Sequence, residues 1–119
     1  MKKTLVIGAS ANPDRYSFKA LNKLVEHNHT VVAIGQKIAE VAGVKIQTKA
    51  IPATKIHTVS MYINSVAQRD YYNYIIGLSP KRVLFNPGTE NPEFYQLLKA
   101  NTIKYEEACT LVLLATNQY

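Results

Sequence analysis

The sequence has a single cysteine, Cys109, and no tryptophan. One cysteine cannot form an internal disulfide, and such usage is typical of a reducing compartment, so we expect a cytoplasmic location. Long apolar runs are also missing: Leu111–Ala115 is far shorter than the roughly 20 residues that span a bilayer. The apolar stretch Leu5–Ile7 is likewise too short for the core of a signal peptide. These features predict one globular domain over residues 1–119, without a membrane segment.

Acidic residues are few, with eight against fourteen lysines and arginines, and the net charge is +6. A positive excess favours an anionic partner, such as a nucleic acid or a phosphorylated small molecule, or is a plain solvated surface. The lysines are scattered and form no dense basic block. We therefore expect a small nucleotide ligand rather than a nucleic acid. No metal site is expected, because the three histidines, His27, His29 and His57, lack metal-ligand spacing.

The segment VIGASANPDRYS, residues 6–17, has the pattern of a strand, a loop of small residues and the beginning of a helix with Ser17 as N-cap. It has one glycine where a dinucleotide fingerprint has three, and it lacks the Gly-Lys-Ser/Thr of a P-loop. It still suits a pyrophosphate, because small residues let the backbone approach and a helix N-terminus attracts anions. A tight turn before a capped helix is the alternative. The expected ligand contacts are Gly8, Ala9, Ser10, Asn12, Arg15 and Ser17.

Strand and helix patterns alternate along the whole chain. The runs TLVIG, TVVAIG and RVLFN indicate buried strands, and HTVSMYI and TIKYE indicate two more. Helical periodicity covers residues 17–27, 65–78 and 91–101, with Asn64 or Ser65 and then Asn91 as N-caps. KIAEVAG is interpreted as a short helical turn, VKIQ as an edge strand, and ACTLVLLAT as a helix or strand. The alternation predicts a doubly wound, Rossmann-like α/β domain with a mainly parallel five-stranded sheet.

Ligands of such sheets bind beyond the carboxyl ends of the strands, where the strand order reverses. The second strand ends in Gly35-Gln36-Lys37, where an NAD site has an acidic residue. Lys37 instead favours a phosphate on the ribose, which leaves NADP and coenzyme A, unless this lysine is merely solvated. The third loop begins with Asn86-Pro87-Gly88, a sharp turn in which Asn86 and Gly88 are expected ligand contacts. An ordinary turn before a capped helix remains an alternative there.

These segments resemble the small, stand-alone CoA-binding-domain proteins of bacteria, which have the Rossmann fold of succinyl-CoA synthetase. The likeness lies in IGASANPDRYS, LVEHNHTVVAIGQK, EVAGVK and VLFNPGTENPEF, and in a late cysteine. It implies that CoA is bound. The residues that fall on the family's phosphate-binding loop are Ala9, Ser10, Asn12, Arg15 and Ser17; Lys37 falls on its lysine and Gly88 on its third-loop glycine. The chain departs from the family pattern at Gly35, Gln36, Phe85 and Pro87.

No catalytic group with a partner is evident, since neither Cys109 nor any histidine has a neighbouring base or carboxylate in the sequence. We therefore predict a module that binds CoA or an acyl-CoA without catalysing a reaction. Two alternatives stay open. One is an NADP-dependent reductase, which Arg15 and Lys37 permit. The other is a regulatory or scaffold subunit that has lost ligand binding and docks on a larger enzyme, with Tyr71, Tyr72 and Tyr74 as candidate contacts. A homodimer also stays open.

Overall fold

Seven strands form one sheet in the computed structural model, which describes residues 1–119. The strands are β1 (Thr4–Ala9), β2 (Val31–Gly35), β3 (Ala39–Val41), β4 (Val44–Gln47), β5 (Thr58–Met61), β6 (Arg82–Phe85) and β7 (Lys104–Glu107). Their order is β3-β4-β2-β1-β5-β6-β7, and every neighbouring pair is parallel except β3 with β4. The prediction of a mainly parallel α/β fold is confirmed, and the prediction of five strands is wrong.

Helices cover both faces of the sheet. They are α1 (Tyr16–Glu26), α2 (Ser65–Gln68), α3 (Tyr72–Leu78), α4 (Pro92–Ala100) and α5 (Thr110–Ala115), with a 3-10 turn at Arg69–Tyr71 between α2 and α3. Alternate residues of β1 enter opposite layers: Leu5 and Ile7 belong to the core with α3 and α4, and Val6 belongs to the core with α1 and α5. None of the helices has the length and apolarity needed to cross a membrane.

The segment KIAEVAG contains a strand rather than the expected helical turn. Val41 pairs with Val44 across a two-residue loop, Ala42-Gly43, in which both residues have positive φ (52° and 80°). This is the geometry of a type I′ hairpin turn. The hairpin places β4 between β2 and β3, so β3 is the edge strand and the assignment of VKIQ to the edge is wrong. Strand β3 therefore accounts for one of the two strands that the sheet has beyond the predicted five.

Two helix starts agree with the sequence and one does not. The Asn64 and Asn91 side chains cap α2 and α4, accepting hydrogen bonds from Ala67 N–H (2.9 Å) and Phe94 N–H (3.1 Å). The prediction of Ser17 as N-cap is wrong, because the turn before α1 starts the helix at Tyr16. The predicted continuous helix over residues 65–78 is also wrong, since the 3-10 turn interrupts it. The segment ACTLVLLAT forms a helix, α5.

Tyr119 packs beside the start of β1. Its hydroxyl hydrogen-bonds the Thr4 hydroxyl, and its ring centroid lies 4.9 Å from that of His29. The Arg82 guanidinium carbon lies 4.7 Å from the same ring, and the Arg82 Nη2 donates to the Tyr119 main-chain oxygen (2.9 Å). The last residue of the sequence is thus fixed to the beginning of the sheet.

Candidate functional site

The carboxyl ends of the strands meet along one side of the sheet, which we call the carboxyl edge. Because β1 lies between β2 and β5, the chain's strand order reverses there, as it does at the ligand crevices of doubly wound sheets. Each of the three predicted loops follows a strand that ends at this edge, namely β1, β2 or β6. The fold therefore brings the nine predicted contacts to one edge: Gly8, Ala9, Ser10, Asn12, Arg15, Ser17, Lys37, Asn86 and Gly88.

Two glycines allow the strand ends to approach closely. Gly8 has φ +95°, and a Cβ built there would lie 2.8 Å from the main-chain carbon and oxygen of Tyr62. At Gly35, a Cβ would lie 2.2 Å from the Ala9 main-chain oxygen. Any larger residue at either position would push neighbouring backbone aside. The first loop is thus packed tightly between the ends of β2 and β5.

Polar side chains of the first loop shape the loop itself. The Ser10 Oγ accepts a hydrogen bond from Asn12 N–H (3.0 Å), and the Asn12 Oδ1 accepts one from Asp14 N–H (3.0 Å). Arg15 N–H donates to the Asn12 main-chain oxygen (3.0 Å). These bonds fold residues 10–15 into successive turns that lead into α1. Ser17, the second residue of α1, is only 4% exposed.

The N-terminus of α1 carries uncompensated positive charge. No side chain caps it, and its first turn contains no acidic residue, whereas the neighbouring starts of α2 and α4 are capped by asparagines. Arg15, at the N-cap position, is exposed and pairs with no acidic side chain. Lys37, after β2, is also exposed and unpaired. Such an arrangement attracts an anion by the helix dipole, by free main-chain N–H groups and by fixed charge.

The third loop is built differently. Asn86 is buried, and its Nδ2 donates to Ser60 Oγ (3.0 Å) and to the Met61 main-chain oxygen (2.8 Å). Its Oδ1 accepts from Thr110 N–H (2.8 Å), so its amide joins β5, β6 and α5 and positions the loop. Gly88 has φ +91°, and its N–H donates to the Glu90 carboxylate (3.0 Å). This loop therefore presents a negative charge beside Gly88, whereas the acid of the first loop, Asp14, is followed directly by Arg15 and the second loop has none.

Gln68 is a positioning residue that the sequence did not reveal. Its side chain is completely buried, and its Nε2 donates to the main-chain oxygens of Thr89 (2.7 Å) and Ile63 (2.9 Å). Its Oε1 accepts from Asn91 Nδ2 (2.8 Å). These bonds tie α2 to the third loop across the crevice. A glutamine within a helical pattern normally indicates a solvated position, so no local signal identifies this contact.

Tyr62 follows β5 and packs against the core layer of α1 and α5. Its hydroxyl is enclosed and makes no hydrogen bond of good geometry, although the Ser60 and Thr110 hydroxyls, which bond to each other (2.8 Å), lie nearby. Burial raises the pKa of Tyr62 to about 12, so the phenol remains protonated at neutral pH. Cys109, at the start of α5, is half-buried. Neither residue has an adjacent base that would make it a nucleophile.

The three tyrosines considered as docking contacts pack against the core layer of α3 and α4. The Tyr72 ring stacks on Phe94, with 4.3 Å between centroids, and its hydroxyl donates to Glu93 (3.0 Å). The Tyr74 hydroxyl donates to the Ile51 main-chain oxygen (2.6 Å). Burial is the main cause that raises the pKa of both tyrosines. All three side chains are nevertheless partly exposed, so their role as docking contacts stays a prediction.

The sheet order and the crevice at its reversal point define a Rossmann-like α/β protein. The chain belongs to the family described as CoA binding domain, whose match covers residues 2–115. Among solved structures, an uncharacterized protein with 42% identity superposes with a TM-score of 0.96, covering 100% of this chain and 98% of the other. No curated protein matches the chain.

Two more distant structures share the fold. A hypothetical protein from Pyrococcus horikoshii OT3 has 26% identity and a TM-score of 0.84, with coverage of 93% of this chain and 80% of the other. A Thermus thermophilus protein, cell-free ID.343, has 20% identity and a TM-score of 0.85, with coverage of 99% and 91%. Together these similarities bear out the resemblance drawn from the sequence.

Proposed function

We propose that this protein binds CoA or an acyl-CoA in the crevice at the carboxyl edge and performs no catalysis of its own, in the reducing cytoplasm. Membership of the family supports CoA as the ligand. The observation that carries the proposal is the uncapped N-terminus of α1, whose first turn has no acidic residue, beside the unpaired Arg15. A pyrophosphate there would accept main-chain hydrogen bonds and neutralise both the helix dipole and the guanidinium.

The charges around the crevice orient the ligand. We assign the pyrophosphate to the first loop and the phosphate on the ribose to Lys37. Glu90, which accepts from Gly88 N–H, would repel a phosphate at the third loop. The third loop is therefore assigned to the uncharged pantetheine portion, which carries amides that accept and donate hydrogen bonds.

The side chains near the crevice support the proposed lack of catalysis. Catalysis on a thioester needs a positioned base or nucleophile. His29 accepts a hydrogen bond from the Lys2 main-chain N–H (2.9 Å), and His57 bonds the Thr58 hydroxyl (2.8 Å). Both histidines lie at the opposite end of the strands from the crevice. Among groups on the crevice side, Tyr62 stays protonated and Cys109 has no partner base.

Thermal unfolding with CoA, dephospho-CoA, NADP and NAD tests the proposal. A ligand at about 100 times its Kd adds roughly 2.7 kcal/mol of stability, which raises the Tm of a domain of this size by on the order of ten degrees. We expect the largest shift with CoA and a smaller one with dephospho-CoA. Arg15→Ala and Lys37→Ala should each reduce the shift, whereas Lys45→Ala, an exposed cation on β4, should not.

The other outcomes are equally informative. A shift with NADP alone would identify the reductase alternative, because its ribose phosphate would satisfy Lys37 as well. A CoA shift that survives both substitutions would show that the phosphate assignment is wrong. No shift with any of the four ligands would contradict nucleotide binding and leave the scaffold alternative.

A further inference from the structure

The opposite side of the sheet, where the parallel strands begin, concentrates the positive charge of the molecule. We call it the amino edge and define it by seven cations, Lys2, Lys3, Lys55, Lys81, Arg82, Lys99 and Lys104. All but Lys99 lie at or shortly before the first residue of a strand, and Lys99 lies in the last turn of α4. The other seven cations are balanced by seven of the eight acids, and the eighth acid, Glu106, lies beside the amino edge.

No acidic side chain pairs with any of these cations. The ion pairs of the structure are Lys23–Glu26 and Arg69–Glu93, both outside the amino edge. Among the edge cations that make hydrogen bonds, Lys2 and Arg82 donate to the Tyr119 main-chain oxygen, and Lys3 donates to that of Thr54 (2.9 Å). The ammonium groups of Lys55, Lys81, Lys99 and Lys104 are exposed and make no such bond, so their charges remain available to an external anion.

The cations form a continuous stripe. Lys2 and Arg82 share one acceptor, and from Arg82 two open concavities of about 540 and 530 Å³ extend toward β7. Lys99, Lys104 and one acid, Glu106, line the first; Lys81, Lys104 and His57 are among the residues that line the second. From β1 to β7 the stripe crosses three strand spacings, about 14 Å.

The two histidines at this edge, His29 and His57, respond to the same field, and the pKa of each is lowered. Burial, and then the positive charges of Arg82, Lys2 and Lys81, lower the pKa of His57. His57 is thus neutral at pH 7, and the stripe owes its charge to lysine and arginine alone.

The stripe lacks what a protein partner would need. Protein interfaces have an apolar core, but this edge has just two exposed large apolar side chains, Met1 and Leu97, the latter 38% exposed. Nor does it offer a free aromatic ring on which unpaired bases could stack. The Tyr105 ring stacks on Tyr95 (4.3 Å) and is covered by the Lys99 ammonium at 6.0 Å. What it does offer is positive charge spread along about 14 Å, a length over which duplex DNA presents roughly eight phosphates.

We propose that the amino edge binds the phosphate backbone of duplex nucleic acid without reading its sequence, at a surface separate from the CoA crevice. The contacts would be of lysine and arginine to phosphate, which supply affinity but no base specificity. The two sites lie at opposite ends of the same strands, so both can be occupied at once.

Fluorescence anisotropy with a labelled DNA duplex of about 20 base pairs tests this, with salt varied from about 50 to 200 mM. The test variant is Lys81→Ala/Lys99→Ala/Lys104→Ala, which removes three exposed cations of the stripe. The control, Lys19→Ala/Lys23→Ala/Lys45→Ala, removes the same charge from α1 and β4. We expect the test variant to bind on the order of 100-fold more weakly at about 0.1 M salt, with a salt slope smaller by two to three, and the control to bind like the parent.

Several results would overturn the proposal. These are no binding at about 50 mM salt, equal losses in both variants, or displacement of the duplex by saturating CoA. Binding to phosphatidylserine vesicles but not to the duplex would assign the edge to an anionic membrane surface instead. Because the crevice variants Arg15→Ala and Lys37→Ala should leave duplex binding intact, failure here is distinguishable from failure of the CoA proposal.

Discussion

At the scale of the residue, Gly35 shows how a missing side chain shapes the crevice. Gly35→Ala would place a Cβ 2.2 Å from the Ala9 main-chain oxygen, where two strands of the sheet are joined and neither can yield. We expect it to lower the free energy of unfolding by about 2 kcal/mol or more, as measured in urea. Gly77→Ala is the matched control, because its Cβ would meet nothing within 4 Å. In a helix it should be neutral or stabilising by up to about 1 kcal/mol.

Tyr62 makes the stability depend on alkaline pH. In the unfolded chain a tyrosine ionises near pH 10, whereas burial keeps the folded Tyr62 neutral until about pH 12. The unfolded state is therefore favoured progressively as the pH rises from 10 to 12. We expect Tyr62→Phe to remove roughly 2 kcal/mol of this fall, since phenylalanine cannot ionise. Urea unfolding at several pH values measures it, and Tyr16→Phe, at an exposed tyrosine, should leave the fall unchanged. An unaltered pH profile in Tyr62→Phe would contradict the assignment.

At the scale of the element, α1 begins without a side-chain capping hydrogen bond. Arg15 has the extended backbone of an N-cap residue (φ −86°, ψ 141°) but contributes no capping hydrogen bond. Arg15→Asp would supply an acceptor for the first-turn N–H groups and a favourable charge, so we expect about 1 kcal/mol of stabilisation together with weaker CoA binding. Urea unfolding and calorimetric titration measure the two effects.

Arg15→Ala separates these effects. It should weaken CoA binding as well, but without the gain in stability, because alanine cannot cap. If Arg15→Asp were to bind CoA as tightly as the parent, the anion would not lie at the start of α1.

Elements with a strong local signal were predictable from the sequence, and elements with an atypical local signal or with distant partners were not. The Asn91-Pro92 start of α4 is a local signal, and the structure has it. The β3–β4 hairpin was missed because a turn residue with positive φ is usually glycine or asparagine, and Ala42 is neither. The alternation of buried Val41, Val44 and Ile46 with exposed residues was the available clue.

The candidate site follows the same division. The first loop is predictable because strand, loop and helix are contiguous in the sequence. The role of Ser17 was misjudged, since the turn that starts α1 earlier depends on the Asn12 main-chain oxygen. The role of Gln68 could not be predicted because two of its three partners, Thr89 and Asn91, lie more than 20 residues away in the sequence.

At the scale of the whole molecule, the clustering of charged residues on the surface is the property that is hardest to predict from the linear sequence. Lysines that look scattered along the chain are brought together because parallel strands all begin at one edge. We expected no nucleic-acid ligand because the sequence has no dense run of basic residues. The fold nevertheless brings lysines that are distant in the sequence together on one surface. Opposite ends of the same strands carry the crevice and the basic stripe.

The docking of Tyr119 has a kinetic consequence. Its hydrogen bond to Thr4 joins residues separated by 115 positions, and closing so long a loop costs about 4 kcal/mol of chain entropy. Contacts of this kind form late, after the folding barrier has been crossed. We therefore expect Tyr119→Ala to accelerate unfolding in stopped-flow urea experiments and to leave the refolding rate nearly unchanged. A slower refolding rate would show that this contact forms within the folding nucleus. The expected result would show instead that Tyr119 slows unfolding and so sets the lifetime of the folded state.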